Sequence, residues 1–239
     1  MYKNIAIIGS SGTIGSSLTK LVAANYPEAT IHALSRHTQN TEIENVTHHK
    51  IDYNDEHQLQ SCADACCSAY PLDLVVVTVG LLHCNEFLPE KSIKQISAEQ
   101  MQKYLHINTV LPSLMAKHFV PKLNKQSRSV FAVLSARVGS ISDNCLGGWY
   151  SYRASKAALN MVTKCIAIET ERVNKSAIIA GLHPGTVNSP LSKPFQNNIP
   201  KNKVFSPDYA TECLHNVIDQ LTQEQSGKCF AWDGSEIEP

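Results

Sequence analysis

A chain of 239 residues, 43% of them hydrophobic, can bury a substantial core, and no Pro/Gly/Ser-rich linker or internal repeat divides it, so one domain over 1–239 is expected. Its 21 basic and 21 acidic residues cancel, which removes the electrostatic argument for nucleic acid or an anionic membrane as partner. Eight cysteines and ten histidines show no Cys-x-x-Cys, no His-x-x-x-His and no secretion signal; Cys62, Cys66 and Cys67 share a predicted helix without a fourth ligand at suitable spacing. Free thiols in a reducing cytoplasm, and no required metal, are therefore expected.

The first element, Lys3-Asn4-Ile5-Ala6-Ile7-Ile8, reads as a short buried strand, too short to span a membrane and lacking a cleavage pattern. It runs into Gly9-Ser10-Ser11-Gly12-Thr13-Ile14-Gly15. Glycines here let the backbone turn tightly, approach a pyrophosphate and pack the next helix on the strand. That helix, predicted over Thr13 to Asn25, would present its first N–H groups to phosphates, so Gly9, Ser11, Gly12, Thr13, Ile14 and Gly15 are candidate cofactor-binding residues.

A second strand follows at Ala29-Thr30-Ile31-His32-Ala33-Leu34. An NAD site would carry an acid near its end to hold the ribose 2′-hydroxyl, but no Asp or Glu stands between Ala29 and Thr41. Ser35 and Arg36 stand there instead, and a guanidinium beside a hydroxyl suits a 2′-phosphate. NADP(H) is thus favoured over NAD(H). Further strands are predicted at Thr47–Ile51, within Val75–Gly80 together with its turn, and at Ser129–Leu134 and Ala177–Leu182, with a last one within Gly227–Gly234. Seven strand candidates separated by helical patterns suit an α/β domain.

Tyr152-Arg153-Ala154-Ser155-Lys156 places a phenol and an ammonium four residues apart, on one face of a helix predicted from about Ser151 to Val173. Working as a base near neutrality requires lowering a tyrosine pKa by about 3 units, about 4 kcal/mol. One cation about 4 Å away supplies roughly 1 kcal/mol in bulk water and about 4 kcal/mol at an effective dielectric near 20. Lys156 suffices only in a partly dry site or with help from a second positive charge, such as an oxidised nicotinamide.

With the glycine turn, this pair and the distance between them, the chain resembles the short-chain dehydrogenase/reductase family over essentially its whole length, and its short C-terminal strand is similar to the C-factor and sniffer branch. The resemblance implies one doubly wound Rossmann domain, with a mainly parallel seven-stranded sheet flanked by helices. It implies that Tyr152 exchanges a proton with the substrate oxygen, that Lys156 lowers the Tyr152 pKa and holds the nicotinamide ribose, and that Ser135 donates to the reacting oxygen. Asn108, in His106-Ile107-Asn108-Thr109-Val110, resembles the asparagine that holds a relay water near the lysine. Asp52 resembles the acid that contacts adenine, with Tyr53 supplying neighbouring backbone; Val79 and Gly80 resemble the turn after the fourth strand; Pro184, Gly185 and Val187 resemble the segment that meets the carboxamide. Three departures stand out. Thr13 replaces the middle glycine of Gly-x-x-x-Gly-x-Gly, Thr78-Val79-Gly80 replaces Asn-Ala-Gly and is expected to weaken local hydrogen bonding, and Ser189 stands where threonine is common.

Trp149 and Tyr150 are assigned to the site rim or to core packing, and His183 is left outside the catalytic set. The substrate would be shaped by Arg137 to Trp149 and by a lid at 188–206 rich in Pro, Asn and Lys. Lys193, Lys201 and Lys203 there form either a solvated face or an attractor for an anionic substrate. The apolar stripe Ala154, Ala157, Ala158, Met161, Val162, Cys165, Ile166 and Ile168 suits burial on the sheet or pairing in a homodimer or homotetramer. Two function classes follow: an NADP(H)-dependent oxidoreductase acting on a small carbonyl or secondary alcohol, and a non-catalytic nucleotide-sensing or signalling protein on the same fold.

Overall fold

Continuous apolar runs bounded by turn residues become the central strands of a parallel sheet in the computed structural model, which describes residues 2–37, 42–198, 200 and 203–239. Strand β1 (Asn4–Ile8) leads through the glycine turn into α1 (Thr13–Asn25), followed by β2 (Thr30–Ser35), β3 (Val46–Lys50), α2 (Glu56–Cys66) and β4 (Leu74–Val77). Next come α3 (Ala98–Leu105), a π-helical turn at His106–Val110, α4 (Leu111–Phe119), β5 (Ser129–Leu134) and the long α5 (Tyr150–Val173). The chain ends with β6 (Ala177–His183), β7 (Thr186–Val187), β8 (Val204–Phe205), α6 (Pro207–Gln220), β9 (Cys229–Ala231) and β10 (Glu236–Ile237). Helix starts follow local chemistry: Asp55 accepts from His57 N and Gln58 N at 3.0 and 3.2 Å, and Ser206 accepts from Tyr209 N ahead of Pro207.

The main sheet runs β10-β9-β6-β5-β4-β1-β2-β3, parallel throughout except for the β9–β10 pair, while β7 and β8 form a small separate sheet. It therefore has eight strands where seven were expected. The C-terminal segment reads as one strand and a turn, but the Asp233-Gly234 turn folds the chain back so that Glu236 and Ile237 pair with Phe230 and Cys229. Two residues carry no detectable periodicity.

Alternation along the strands feeds a core on each face. Ile5, Ile7, Val76 and Ala132 pack with Leu18, Val22, Leu214 and Ile218 of α1 and α6. Ala6, Ile8, Val77 and Val133 pack with Leu59, Met115, Phe119, Leu159 and Ala167 of α2, α4 and α5. Strands buried on both faces read as unbroken apolar runs, which is why β4 and β5 are legible in sequence. Strand order reverses between β1 and β4, and the carboxyl ends open there into a crevice. Among the described residues, no helix is long and apolar enough to cross a membrane.

Candidate active site

The crevice is a cleft of about 560 Å³ whose walls include Ser11 to Gly15, Thr78 to Leu82, Ser135, Tyr152, Lys156 and His183 to Val187. Gly9 does not itself line the cleft; it has φ +94°, and a Cβ there would sit 2.6 Å from Thr78 Oγ1. A Cβ on Gly15 would sit 2.2 Å from the Gly9 carbonyl, so α1 approaches the turn only because residue 15 has no side chain. Gly12 precedes α1 and offers no side-chain cap. The first N–H groups of α1 thus face the cleft, where an anion would satisfy them.

Thr78 answers the second departure from the family pattern. Its hydroxyl lies within hydrogen-bond reach of the carbonyls of Ile8 and Gly9, at 3.0 and 3.1 Å, tying β4 to the glycine turn. The threonine hydroxyl thus supplies a side-chain tether at the turn, donating to one of these two carbonyls at a time.

Helix α5 brings Tyr152 and Lys156 into the cleft, 8% and 3% exposed. Its start is set by a distant residue. Trp149 has φ +51°, a strained conformation for a side-chain-bearing residue. Its N–H donates to the Glu90 carbonyl at 2.5 Å. The buried Glu90 carboxylate accepts from Ser151 N at 3.2 Å and from the Ser151 hydroxyl, placing an acid at the positive end of the helix.

Lys156 Nζ donates to the Leu134 carbonyl at 2.8 Å, and burial lowers its pKa from 10.5 to about 8. Burial raises the Tyr152 pKa well above the ordinary phenol value. The Lys156 ammonium meanwhile is held by the Leu134 carbonyl. The Tyr152 ring rests beside Tyr104 and Trp149, at centroid distances of 5.9 and 6.1 Å.

Ser135 lines the cleft, but its hydroxyl donates to Asn160 Oδ1 at 2.6 Å. Asn108 lies outside the cleft wall in the π-helical turn, a feature frequent at functional sites. It accepts from Leu81 N at 2.7 Å and donates to Leu81 O at 2.9 Å and Ser155 Oγ at 3.0 Å. Asn108 thus links the 80–82 segment to α5, beside Gly80, whose missing Cβ would lie 3.5 Å from Asn108 Oδ1 and 3.7 Å from Lys156 Nζ.

The remaining candidates are more scattered. Ser35 is buried and its hydroxyl donates to its own loop at the His37 carbonyl, while Arg36 is exposed at the end of β2. Asp52 is exposed and accepts from Asn54 N at 2.9 Å; Tyr53 is buried and donates to Leu34 O at 3.1 Å. None of these four lines the cleft. Ser189 does, as do Pro190 to Ser192 and Phe195. Within 188–206, a 3₁₀ turn at Lys193–Asn198 sets Phe195 against Trp149 at 5.1 Å, and Val204–Phe205 pairs with Thr186–Val187. Lys201 lies outside the described residues.

Several site residues escape sequence reasoning. Asn160 continues the Tyr152/Lys156 face, and that spacing could have flagged it. Glu90 gives no signal, since its partner Ser151 is 61 residues away. Tyr150 does not line the cleft, whereas Trp149 does. His183 also lines it, with burial lowering its pKa to about 4.

Comparison with known proteins agrees with this architecture. The short chain dehydrogenase family model matches residues 3–200. The chain is 32% identical over 164 residues to 1-hydroxy-2-glutathionyl-2-methyl-3-butene dehydrogenase of Rhodococcus sp. (strain AD45), covering 69% of this chain and 67% of that protein. It is 29% identical to the C-signal of Myxococcus xanthus, covering 70% of this chain and 92% of that protein. Its fold is similar to that of the carbonyl reductase Sniffer of D. melanogaster, with TM-score 0.84, 21% identity and full coverage of both chains. It is also similar to that of an NADPH-bound carbonyl reductase from chicken fatty liver, with TM-score 0.85, 21% identity and 99% coverage of both.

Proposed function

The chain belongs to the short-chain dehydrogenase family and is an oxidoreductase; on that premise we propose that it uses NADP(H) and acts on a small carbonyl compound or secondary alcohol. One observation carries the reading: a single cleft joins an uncapped helix start and its close-packed glycine turn to Ser135, Tyr152 and Lys156. The turn and helix start would hold the pyrophosphate, and Pro184, Gly185 and Val187 would edge the nicotinamide. The bound nicotinamide supplies the hydride.

Burial keeps Tyr152 in its protonated form, which is the form that donates to a carbonyl oxygen during reduction. In the alcohol-oxidising direction the phenol must first lose that proton, and added positive charge in the cleft favours the loss. Lys156, with a pKa near 8, is mostly charged at neutral pH. Ser135 reaches the reacting oxygen by rotating its hydroxyl away from Asn160, and its donated hydrogen bond then stabilises developing charge. Arg36 would carry 2′-phosphate recognition without Ser35, whose hydroxyl is engaged by the His37 carbonyl. The segment 188–206 would serve as the lid through Phe195. The exposed apolar residues Met161 and Ile168 on α5 support a homo-oligomer, and the eight free cysteines support a reducing compartment such as the cytoplasm.

Similarity to the C-signal over 92% of that protein keeps a signalling or sensing role as the second reading. A panel of aldehydes and ketones with NADPH separates the two. The oxidoreductase reading expects turnover by the wild type, lost in Tyr152→Phe while NADPH binding persists. Binding without turnover of any compound would favour the sensor.

A further inference from the structure

Away from the cleft, β2, β3 and α2 bring two imidazoles and two thiols together at the outer edge of the sheet. The β2–β3 register pairs Leu34 with His49 and His32 with Thr47, so the two histidines sit diagonally on one face. Their facing nitrogens, His32 Nδ1 and His49 Nε2, are 2.9 Å apart. Helix α2 covers that face with Cys62 and Cys66, four residues apart and both buried. Donor atoms of His32, His49 and Cys66 all lie within 4.8 Å of one another. Cys62 lies one helical turn before Cys66 on the same buried face of α2.

We propose that His32, His49 and Cys66, with Cys62 rotating in from one helical turn away as the fourth ligand, form a zinc-binding site that fastens β2 and β3 to α2. Tetrahedral zinc with nitrogen bonds of about 2.0–2.1 Å and sulfur bonds of about 2.3 Å sets its ligand atoms about 3.3–3.8 Å apart. The His32 and His49 nitrogens, 2.9 Å apart, lie just inside that span and the Cys66 sulfur is within 4.8 Å of both, so side-chain rotations bring the donors to tetrahedral separations. Two thiolates with two imidazoles select a zinc-like ion over magnesium or calcium, which require oxygen ligands. His32, Cys62 and Cys66 are buried while His49 is only half-buried, which leaves an entry path from solvent.

Linear motifs miss this site because the ligands come from three elements and only the Cys62/Cys66 pair has helical spacing. The site stands on different residues from the cleft and does not depend on the oxidoreductase reading.

The test is a titration of chelator-stripped, thiol-reduced protein with Co²⁺ and then Zn²⁺, followed by visible absorption and melting temperature. Wild type is expected to bind one Co²⁺ per chain with the intense bands of tetrahedral thiolate coordination, to lose them on adding Zn²⁺, and to melt several degrees higher with Zn²⁺. His49→Gln and Cys66→Ala should each weaken binding about a hundredfold or more and abolish the Zn²⁺-dependent rise in melting temperature. Cys165→Ala, removing an exposed thiol on α5, should behave as wild type. Circular dichroism confirms folding, and if Cys66→Ala does not fold, the half-buried His49 variant decides alone. Absence of tetrahedral bands in wild type, or their persistence in a folded His49→Gln or Cys66→Ala variant, overturns the proposal.

Discussion

At the start of α5, Tyr152 and Lys156 are buried and fixed by neighbours, whereas at the end of β2 Arg36 stands exposed. Under the proposed function the two regions face different tasks. A group that moves a proton gains from desolvation, because burial sets its protonation state and strengthens each electrostatic contact. A group that recognises a dianionic phosphate keeps its charge at any physiological pH and gains little from burial, which would cost several kcal/mol. The α5 region accordingly has a supporting layer of Glu90, Asn108, Ser155 and Asn160, whereas at the β2 end Ser35 is held by the His37 carbonyl.

The largest effect should come from removing the proton donor. Tyr152→Phe is expected to lower carbonyl turnover by about 10²–10⁴-fold, read as kcat with saturating NADPH, with the nucleotide dissociation constant unchanged. An equal loss of nucleotide affinity would show that Tyr152 binds rather than reacts.

Burying Lys156 gives a pH signature. Its folded pKa of about 8 lies below the unfolded value of 10.5, so between those values the unfolded chain holds a proton that the folded chain has released. Stability attributable to this residue therefore rises from pH 8 to 10.5, and below pH 8 the burial costs up to about 3 kcal/mol. Lys156→Met should stabilise the free protein most below pH 8, with the gain shrinking toward pH 10. Denaturant midpoints across that range check the slope, and a pH-independent gain would contradict the assignment.

Glu90→Ala leaves Ser151 N–H and its hydroxyl without their acceptor and should cost about 1–3 kcal/mol, with kcat falling more than KM changes because Tyr152 shifts. The smallest stability effect belongs to the exposed end. Arg36→Asp should change unfolding free energy by no more than about 0.5 kcal/mol while erasing the preference for NADPH over NADH. A large stability loss there would erase the contrast between the two regions.

Much of this was legible in sequence, for identifiable reasons. β4 and β5 showed as apolar runs because both faces are covered, and α1 begins and ends where the glycine turn and the helical pattern put it, at Thr13 and Asn25. Tyr152 and Lys156 were visible because both lie on one helix. What stayed hidden depends on tertiary contacts. Nothing near Ser151 names Glu90, nothing local shows that Asn160 holds the Ser135 hydroxyl, and the His32/His49 pair appears only once β2 and β3 are in register. Spacing gives the proximity of Tyr152 and Lys156, while the depth of their burial appears only in the fold.

The most direct measurement is a fluorescence titration of the wild-type protein with NADPH and NADH, repeated with Arg36→Asp. Saturable binding that favours NADPH, with the preference abolished in the variant, is the predicted result. Failure of both nucleotides to bind would contradict the account, reducing the glycine turn to a packing device and leaving Tyr152 and Lys156 without a reaction to serve.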